Sequence, residues 1–482
     1  MLISETTPLL SQPLATSFPN ISDAVARLGE HVDRVSIADI CPGETGDVCG
    51  ETAFYLVVLL QLRAQKLKPK ALSDVWNQWT ETALNESDIQ QLNERIINAW
   101  VLFLDEYRTT AEIEQVLWTS FLISDHSARR VRVVDLLTAD APSELIRHDV
   151  VMLSLVNMWK HGPSRDVASQ EISPSPIGLR YDAICTPRVL HFMDLAAYLS
   201  YFGLLVSYVM QPPFEPTISQ SRFHYVGARE ILLMVFSSSI LLRPWTIFNL
   251  PFAITLLMFL ISLPAVPFAG SASFNILLIC FIFHAFQFHF PRSPSPLFVF
   301  KVRHSLPFAR FLTHGFYRII LPLTVFFLPI FVLGTSWLSM ALAETFFVPP
   351  SLLDTLIPTP METRTTVLFI FFALLVTVCC SLFIFVVLGR TLDPAASGWD
   401  SYSSAVGRTA RASFVRAVIS YSSPYTFPAP LSLLHAIFIW GPSAILPRVG
   451  IQLPFAQAEK LLWRITVGPI GLIAASILYF LP

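Results

Sequence analysis

The hydrophobic and polar positions of this 482-residue chain fall into two regimes. In the first, apolar residues recur at helical spacing between polar ones. Ile89, Leu92, Ile96, Trp100 and Leu104 are three or four apart, which places them on one face of a helix expected over 88–107. Ser87 followed by Gln90 fits a capping box at its start. Segments 52–67, 112–123 and 143–159 read as further helices, and no strand alternation interrupts them. The run Ala53 to Leu60 is too short to span a bilayer and reads as a buried core helix.

In the second regime the periodicity disappears into long apolar runs. A helix rises 1.5 Å per residue, so about 20 apolar residues cross a core of roughly 30 Å. Such runs occupy about 189–210, 225–243, 246–267, 273–290, 317–337 and 366–389. Two later runs lie near 428–446 and 461–480. Pro428, Pro430, Pro442 and Pro447 chop the first of these, which leaves spanning, re-entrant and interfacial placements open.

Charge sharpens the division. Of the 66 Asp, Glu, Lys and Arg residues, 41 lie in the first 188 and 25 in the remaining 294. The first part approaches the roughly 25% of an ordinary soluble domain, whereas the second falls far below it. With 53% hydrophobic residues and a mean hydropathy of +0.57, the composition excludes an ordinary cytosolic enzyme. The formal net charge of −2 excludes a chain that is basic overall, and no nucleic-acid partner is expected. The expected fold is all-α: an N-terminal cytosolic helical domain, then a polytopic bundle made of a six-helix unit and one or two further apolar helices.

The expected boundaries are a disordered tail (1–20), a helical domain (21–160), a Pro- and Ser-rich linker (161–188), a four-helix bundle (189–290) and a basic connector (291–316). Two spans with an outer loop (317–389) and a C-terminal region (390–482) complete the layout. Met1 to Pro19 has neither a basic n-region nor an apolar core, so no secretory signal is expected there. Arg292, Lys301, Arg303 and Arg310 in one loop and Arg390, Arg408, Arg411 and Arg416 in another fall on the cytosolic side together with the N-terminal domain.

Four spans, a basic connector, a fifth span, a 28-residue outer loop and a sixth span form the plan of a cation-channel subunit. The stretch Phe414-Val415-Arg416-Ala417, followed by Phe427-Pro428-Ala429-Pro430-Leu431, resembles the fungal vacuolar cation channels of the transient-receptor-potential type. Leu462-Trp463-Arg464-Ile465-Thr466-Val467-Gly468-Pro469 occupies the place of that family's last apolar helix. Thr186-Pro187-Arg188, entering span one, is similar as well. The resemblance implies a homotetrameric, calcium-permeable channel in the vacuolar membrane, with Ca2+ as permeant or regulatory ion and no other cofactor.

Candidate sites follow from this layout. Glu344, Asp354 and Glu362 are the acids of the outer loop, and fourfold symmetry would make each a ring of carboxylates that concentrates cations. That loop, 338–365, contains no glycine, whereas filters built from backbone carbonyls commonly use one to turn. Ionisable and amide groups within or beside spans are costly and mark function or pairing. Asp194, Arg229, Glu230 and Asn249 are therefore bundle-cavity candidates, against a reading in which Asp194 and Arg229 snorkel or pair; the resemblance implies that acids and amides facing this cavity bind calcium on the cytosolic side, near which Asp194 and Asn249 are expected, with Glu230 toward the lumen. Arg243-Pro244-Trp245 reads as an interfacial anchor, and Cys185 as a candidate for palmitoylation. His284 and His289 read as packing residues, and span four carries no Arg or Lys between Phe274 and Phe290, so strong voltage sensing is not expected.

Glu5, Leu9 and Leu10 form an acidic dileucine pattern that suits a sorting adaptor. The six scattered cysteines suggest neither a disulfide framework nor a zinc site. No Walker loop, nucleophile elbow or H-E-x-x-H motif appears, so no catalytic residue is assigned and no enzyme is expected. The alternatives are a non-conducting structural or regulatory subunit of the same fold and, further off, a small-molecule transporter.

Overall fold

The computed structural model describes residues 18–28, 47–67, 75–124, 127–137, 140–162, 181–213, 226–244, 246–263, 266–288, 290–326, 380, 384, 397–423, 425–446 and 455–480. They are mostly helical, with one antiparallel strand pair among the described residues. The chain divides into two compact units, residues 1–302 with 411–482, and residues 303–410.

The N-terminal part of the first unit is built around α2 (Val48–Lys66). Ala53 through Leu60 are all buried, as expected of a helix apolar on every side. Around it lie α1 (Ile21–Leu28), α3 (Val75–Leu104) and α4 (Thr110–Trp118). On α3, Leu92, Ile96 and Trp100 are buried while Gln91, Glu94 and Asn98 are exposed, so the sequence periodicity is the core face. The helix begins at Val75 rather than at Ser87. No Gly or Pro lies between 75 and 104 to stop it, and Ser87 is an exposed interior residue rather than a cap. A capping box does occur at α4, where Thr109 N–H donates to Glu112 Oε2 at 2.7 Å and Glu112 N–H donates to Thr109 Oγ1 at 3.4 Å. The Thr109 N–H, and the Thr109 hydroxyl donating to the same oxygen at 3.0 Å, hold the Glu112 carboxyl below its ordinary value.

Two expectations fail here. The helix expected to reach residue 123 ends at Trp118, and β1 (Ser120–Ser124) pairs antiparallel with β2 (Ser127–Arg132), with Phe121 opposite Val131. Phe121 is buried against Phe18 and Phe54, with ring centroids 5.6 and 5.2 Å away. As a strand, the segment turns this side chain into that aromatic cluster. The helix expected over 143–159 is two, α6 (Ser143–Arg147) and α7 (Asp149–His161). The break is the extended His148 (ψ 125°). The short α5 (Val133–Leu136) precedes them.

Four helices follow: α8 (Pro187–Met210), α9 (Ala228–Leu241), α10 (Leu250–Ile261) and α11 (Ala272–Gln287). Helix α8 packs on α9 and α11, α9 on α10, and α10 on α11, closing a four-helix bundle. Its core holds Tyr198, Tyr201, Leu205 and Tyr208 from α8, with Leu233, Phe252, Phe259 and Leu277 from the other three. The last helix is α17 (Phe455–Tyr479), which packs on α8. Among the described residues, α8 and α17 are the helices long and apolar enough to cross a membrane by length and composition, while α10 and α11 are apolar but shorter.

Within the second unit, α12 (Val302–Gly315) is amphipathic, burying Leu306, Pro307, Ala309 and Phe311. It continues through a π-helical turn, Phe316–Ile320, into α13 (Leu321–Phe326). Phe311 stacks on Tyr402 with centroids 4.6 Å apart, so the turn at 398–402 lies against the basic connector helix. Helix α14 (Ser404–Tyr421) begins in this unit, and its residues from 411 belong to the first. The two apolar runs expected at 317–337 and 366–389 lie largely outside the described residues.

Candidate functional site

Helix α8 opens with Thr186 as N-cap, whose Oγ1 accepts from Val189 N–H at 3.4 Å, and with Pro187 in its first turn. Both are favourable there, because the first turn's amides lack helical partners. About two turns further, this helix buries a carboxylate. The Asp194 side chain is 1% exposed and receives four donors. Arg243 Nη1 and the Tyr421 hydroxyl donate to Oδ2 at 2.7 and 2.8 Å. Arg243 Nη2 and the Ala429 N–H donate to Oδ1 at 2.6 and 2.9 Å. Both oxygens are saturated, and the guanidinium engages them in the two-pronged geometry that makes such pairs strong.

The Arg243 guanidinium thus turns inward to a desolvated carboxylate, which corrects its expected role as an interfacial anchor. An unpaired buried charge is too costly to persist, and Asp194 supplies the reason for the arginine at the α9–α10 turn. Burial and the Asp194 charge push the Tyr421 phenol well above its ordinary value, so it remains a donor. The Tyr421 oxygen in turn accepts from Ser293 Oγ at 3.0 Å.

An aromatic cluster surrounds this knot. The ring of Trp159 on α7 lies 5.4 Å from His191 on α8 and 5.9 Å from Phe414 on α14. His191 also packs on Phe298 at 5.3 Å and on Tyr421 at 5.5 Å. Its Nε2 accepts from Ser295 N–H at 3.3 Å, which fixes the tautomer with the proton on Nδ1. Four separated segments meet here: the last N-terminal helix, the base of α8, the loop 293–298 and the end of α14. The stretch that carries the family resemblance lies at this junction. Phe414, Val415 and Ala417 are buried and Arg416 is exposed, while Phe427 is buried and Ala429 is buried beside Asp194.

The other bundle-cavity candidates do not join Asp194. Glu230 accepts from Gly227 N–H at 3.0 Å and pairs with Arg229 at 2.9 Å. Arg229 also donates to the Ser207 and Gln211 carbonyls at 3.1 and 3.2 Å, and lies over the Tyr208 ring. It thereby caps the end of α8, adding a second donor to the Ser207 carbonyl, which already accepts from Gln211 N–H at 3.0 Å. Ser207 is 13 residues from Asp194, about 20 Å along the helix, so these groups occupy opposite ends of the bundle. Asn249 is spent locally, donating to Pro244 O at 3.3 Å and accepting from Thr246 Oγ1 at 3.2 Å. The four candidates therefore do not form one site, and Glu230 lies away from Asp194 as the expected topology had it. Among the described residues no group of three His, Cys, Asp or Glu side chains is placed to hold a metal.

Between the two ends, polar groups face inward. Tyr198 donates to Gln287 Oε1 at 2.5 Å, and Gln287 Nε2 donates to Phe248 O at 2.7 Å. Tyr201 lies 3.3 Å from His284 Nε2 and accepts from Ser237 Oγ at 3.4 Å, while Tyr208 donates to Pro267 O. His284 is fully buried and packs edge-on against Phe252 at 4.3 Å, in keeping with a packing role. Glu344, Asp354 and Glu362, the sorting residues Glu5, Leu9 and Leu10, and His289 lie outside the described residues.

Sequence reasoning singled out Asp194 and Arg243 but did not join them, and it missed His191, Ser295, Tyr421 and Ala429 as their neighbours. The one available signal was the 414–431 stretch. No protein-family model matches the chain, and no curated protein matches it.

Proposed function

We propose that this chain is a multi-pass membrane subunit of a calcium-permeable, non-selective cation channel, assembling as a homotetramer in the vacuolar membrane of a fungus, with the N-terminal helical domain in the cytosol. Two features support membrane residence. The bundle exposes Leu257, Leu260, Ile261, Ile276, Ile279 and Ile282 while burying Tyr201, Tyr208, Ser237, Thr255, His284 and Asp194. Lipid favours that distribution and water opposes it.

The observation that carries the channel reading is the Asp194 knot. It ties the bundle to Tyr421 and Ala429, which follow the sixth expected span, and a gated pore needs a mechanical link at that place. The amphipathic basic helix α12 suits the coupling element before the fifth span, and the acids at 344, 354 and 362 suit the outer mouth. Lipid surrounds the bundle, and the N-terminal dileucine engages a sorting adaptor.

The glycine-free outer loop favours a second reading, a non-conducting subunit of the same fold. Reconstitution of the purified chain into planar bilayers separates the two. The channel reading predicts a cation current that Glu344→Gln or Asp354→Gln diminishes. A silent, correctly inserted oligomer contradicts it and leaves the non-conducting reading in its place.

A further inference from the structure

Helix α17 is anchored on the turn that leads into α8. Arg464 Nε and Nη2 donate to the two Asp182 oxygens at 2.9 and 2.6 Å, and Tyr181 donates to Arg464 O at 3.1 Å. Further along, a Cβ on Gly468 would overlap the Tyr181 phenol, and one on Gly471 the Cys185 sulfur, so helix and turn are in direct contact. The first turns of α17 also reach the segment that follows α14. Trp463 Nε1 donates to Thr426 O at 3.0 Å, and its ring lies edge-on to Tyr425 at 5.5 Å. One turn earlier, Glu459 Oε1 lies 2.9 Å from His435 Nε2.

His435 ends α15 (Ser432–His435), which continues through the π-helical turn Ala436–Trp440 into α16 (Gly441–Ile445). Its ring stacks on Phe427 with centroids 4.7 Å apart. Residues 425–435 are thus gripped from two sides. The bundle holds them through the Ala429 N–H on Asp194 at 2.9 Å and through Ser432 Oγ, which donates to Ser239 O at 3.1 Å. Helix α17 holds them through Trp463 and Glu459.

The two grips differ in chemistry. On the bundle side the carboxylate is buried and neutralised by Arg243, and its other groups are uncharged. On the α17 side an imidazole meets a carboxylate, with side chains 20% and 30% exposed, so solvent can supply a proton. A protonated imidazole makes a charge-assisted hydrogen bond to a carboxylate, stronger than a neutral one. Imidazole is also the side chain whose charge ordinarily changes between about pH 5 and 8.

The surrounding charges leave that balance with Glu459. On α17, Arg464 is neutralised by Asp182. Lys460 opposes protonation, but its ammonium is turned to the Tyr425 ring, 5.9 Å from the centroid. On α9, which packs against α15, Arg229 pairs with Glu230 at the far end, and Arg243, just past its near end, pairs with Asp194. The described residues 425–446 add Tyr425 and no Asp, Glu, Lys or Arg.

We infer that His435 and Glu459 form a pH-dependent clasp, by which α17 tightens its grip on residues 425–435 as the pH falls through the imidazole range and loosens it as the pH rises. Any bearing on gating rests on the channel reading proposed above; the clasp itself does not.

The test is hydrogen exchange of the full chain in detergent micelles at pH 7.5 and 5.5, corrected for the intrinsic effect of pH on amide exchange. The peptides spanning 425–435 and 455–463 are read. In wild type both should exchange about two- to fivefold more slowly at pH 5.5, the range of a partly exposed ion pair. High salt should shrink that difference. Glu459→Gln, a conservative change at a partly exposed position, should abolish it. His435→Lys, charged at both pH values, should exchange alike at both. A pH difference that survives in Glu459→Gln, or none in wild type, overturns the inference. Exchange is read without a current, so a chain that clasps but does not conduct removes the channel reading alone.

Discussion

The N-terminal helical layer and the four-helix bundle bury similar side chains but clothe them oppositely. On α3, buried Leu92, Ile96 and Trp100 alternate with exposed Gln91, Glu94 and Asn98. On α11, buried Leu277, Cys280 and His284 alternate with exposed Ile276, Ile279, Ile282 and Phe283. In the first case the polar groups are outside; in the second they are inside and the outside is as apolar as the core. What distinguishes the surroundings of a helix here is therefore its exposed face, since the buried faces are alike. The bundle also contains its charges by pairing them, Asp194 with Arg243 at one end and Glu230 with Arg229 at the other, whereas the N-terminal layer leaves Glu86 and Glu94 exposed.

The largest expected effect comes from opening the deeper pair. Asp194→Leu strands the Arg243 guanidinium and removes the acceptor for Tyr421 and Ala429. Breaking one partner of a buried pair costs about 3–5 kcal/mol, read as a lowered melting temperature of the detergent-solubilised protein. Asp194→Leu combined with Arg243→Leu should recover much of that loss, because no uncompensated charge remains. A double variant as unstable as the single would mean that the carboxylate acts only through Tyr421 and Ala429.

A smaller effect tests the comparison itself. Leu257 is 50% exposed on α10. In water Leu257→Lys would change stability by no more than about 0.5 kcal/mol, but near a bilayer centre it should cost about 2.5–3.5 kcal/mol. The reverse exchange, Glu94→Leu on α3, should be close to neutral. Equal tolerance of both substitutions would erase the distinction between the two regions.

The smallest effect lies in the N-terminal layer. Burial holds the His148 imidazole below its ordinary pKa of 6.5, with Asp149 opposing in part. The unfolded chain thus takes up that proton more readily than the folded one. Stability from this group is fully present above pH 6.5 and declines as the pH falls from 6.5 through the folded value. Thermal unfolding of the full chain between pH 7.5 and 5 should show that decline, and His148→Gln should flatten it. An unchanged slope in the variant would assign the acid sensitivity elsewhere.

What could be read along the chain was whatever depends on near neighbours in sequence. The spacing of Leu92, Ile96 and Trp100 marked the core face of α3, and the unbroken apolar run 53–60 marked a helix buried all round. The strand pair escaped because Ser120–Ser124 offers only three apolar residues in a row, a pattern that also fits the end of a helix. The knot at Asp194 escaped for a different reason. Arg243 is 49 residues away, Tyr421 is 227 and Ala429 is 235, so no local period links them. A costly carboxylate in an apolar run announced that a partner had to exist, without saying which. The stretch 414–431, singled out for its family resemblance, contributes Tyr421 and Ala429 to the knot.

The central claim is that Asp194 holds the segment after α14 to the base of the bundle. Hydrogen exchange of the peptide spanning residues 421–431, in wild type and in Asp194→Leu, measures this most directly, because the Ala429 amide donates to that carboxylate. The account predicts a protected amide at 429 in wild type and rapid exchange in the variant, with protection of the α9 and α10 peptides largely kept. Equal exchange of the 421–431 peptide in both proteins would contradict it.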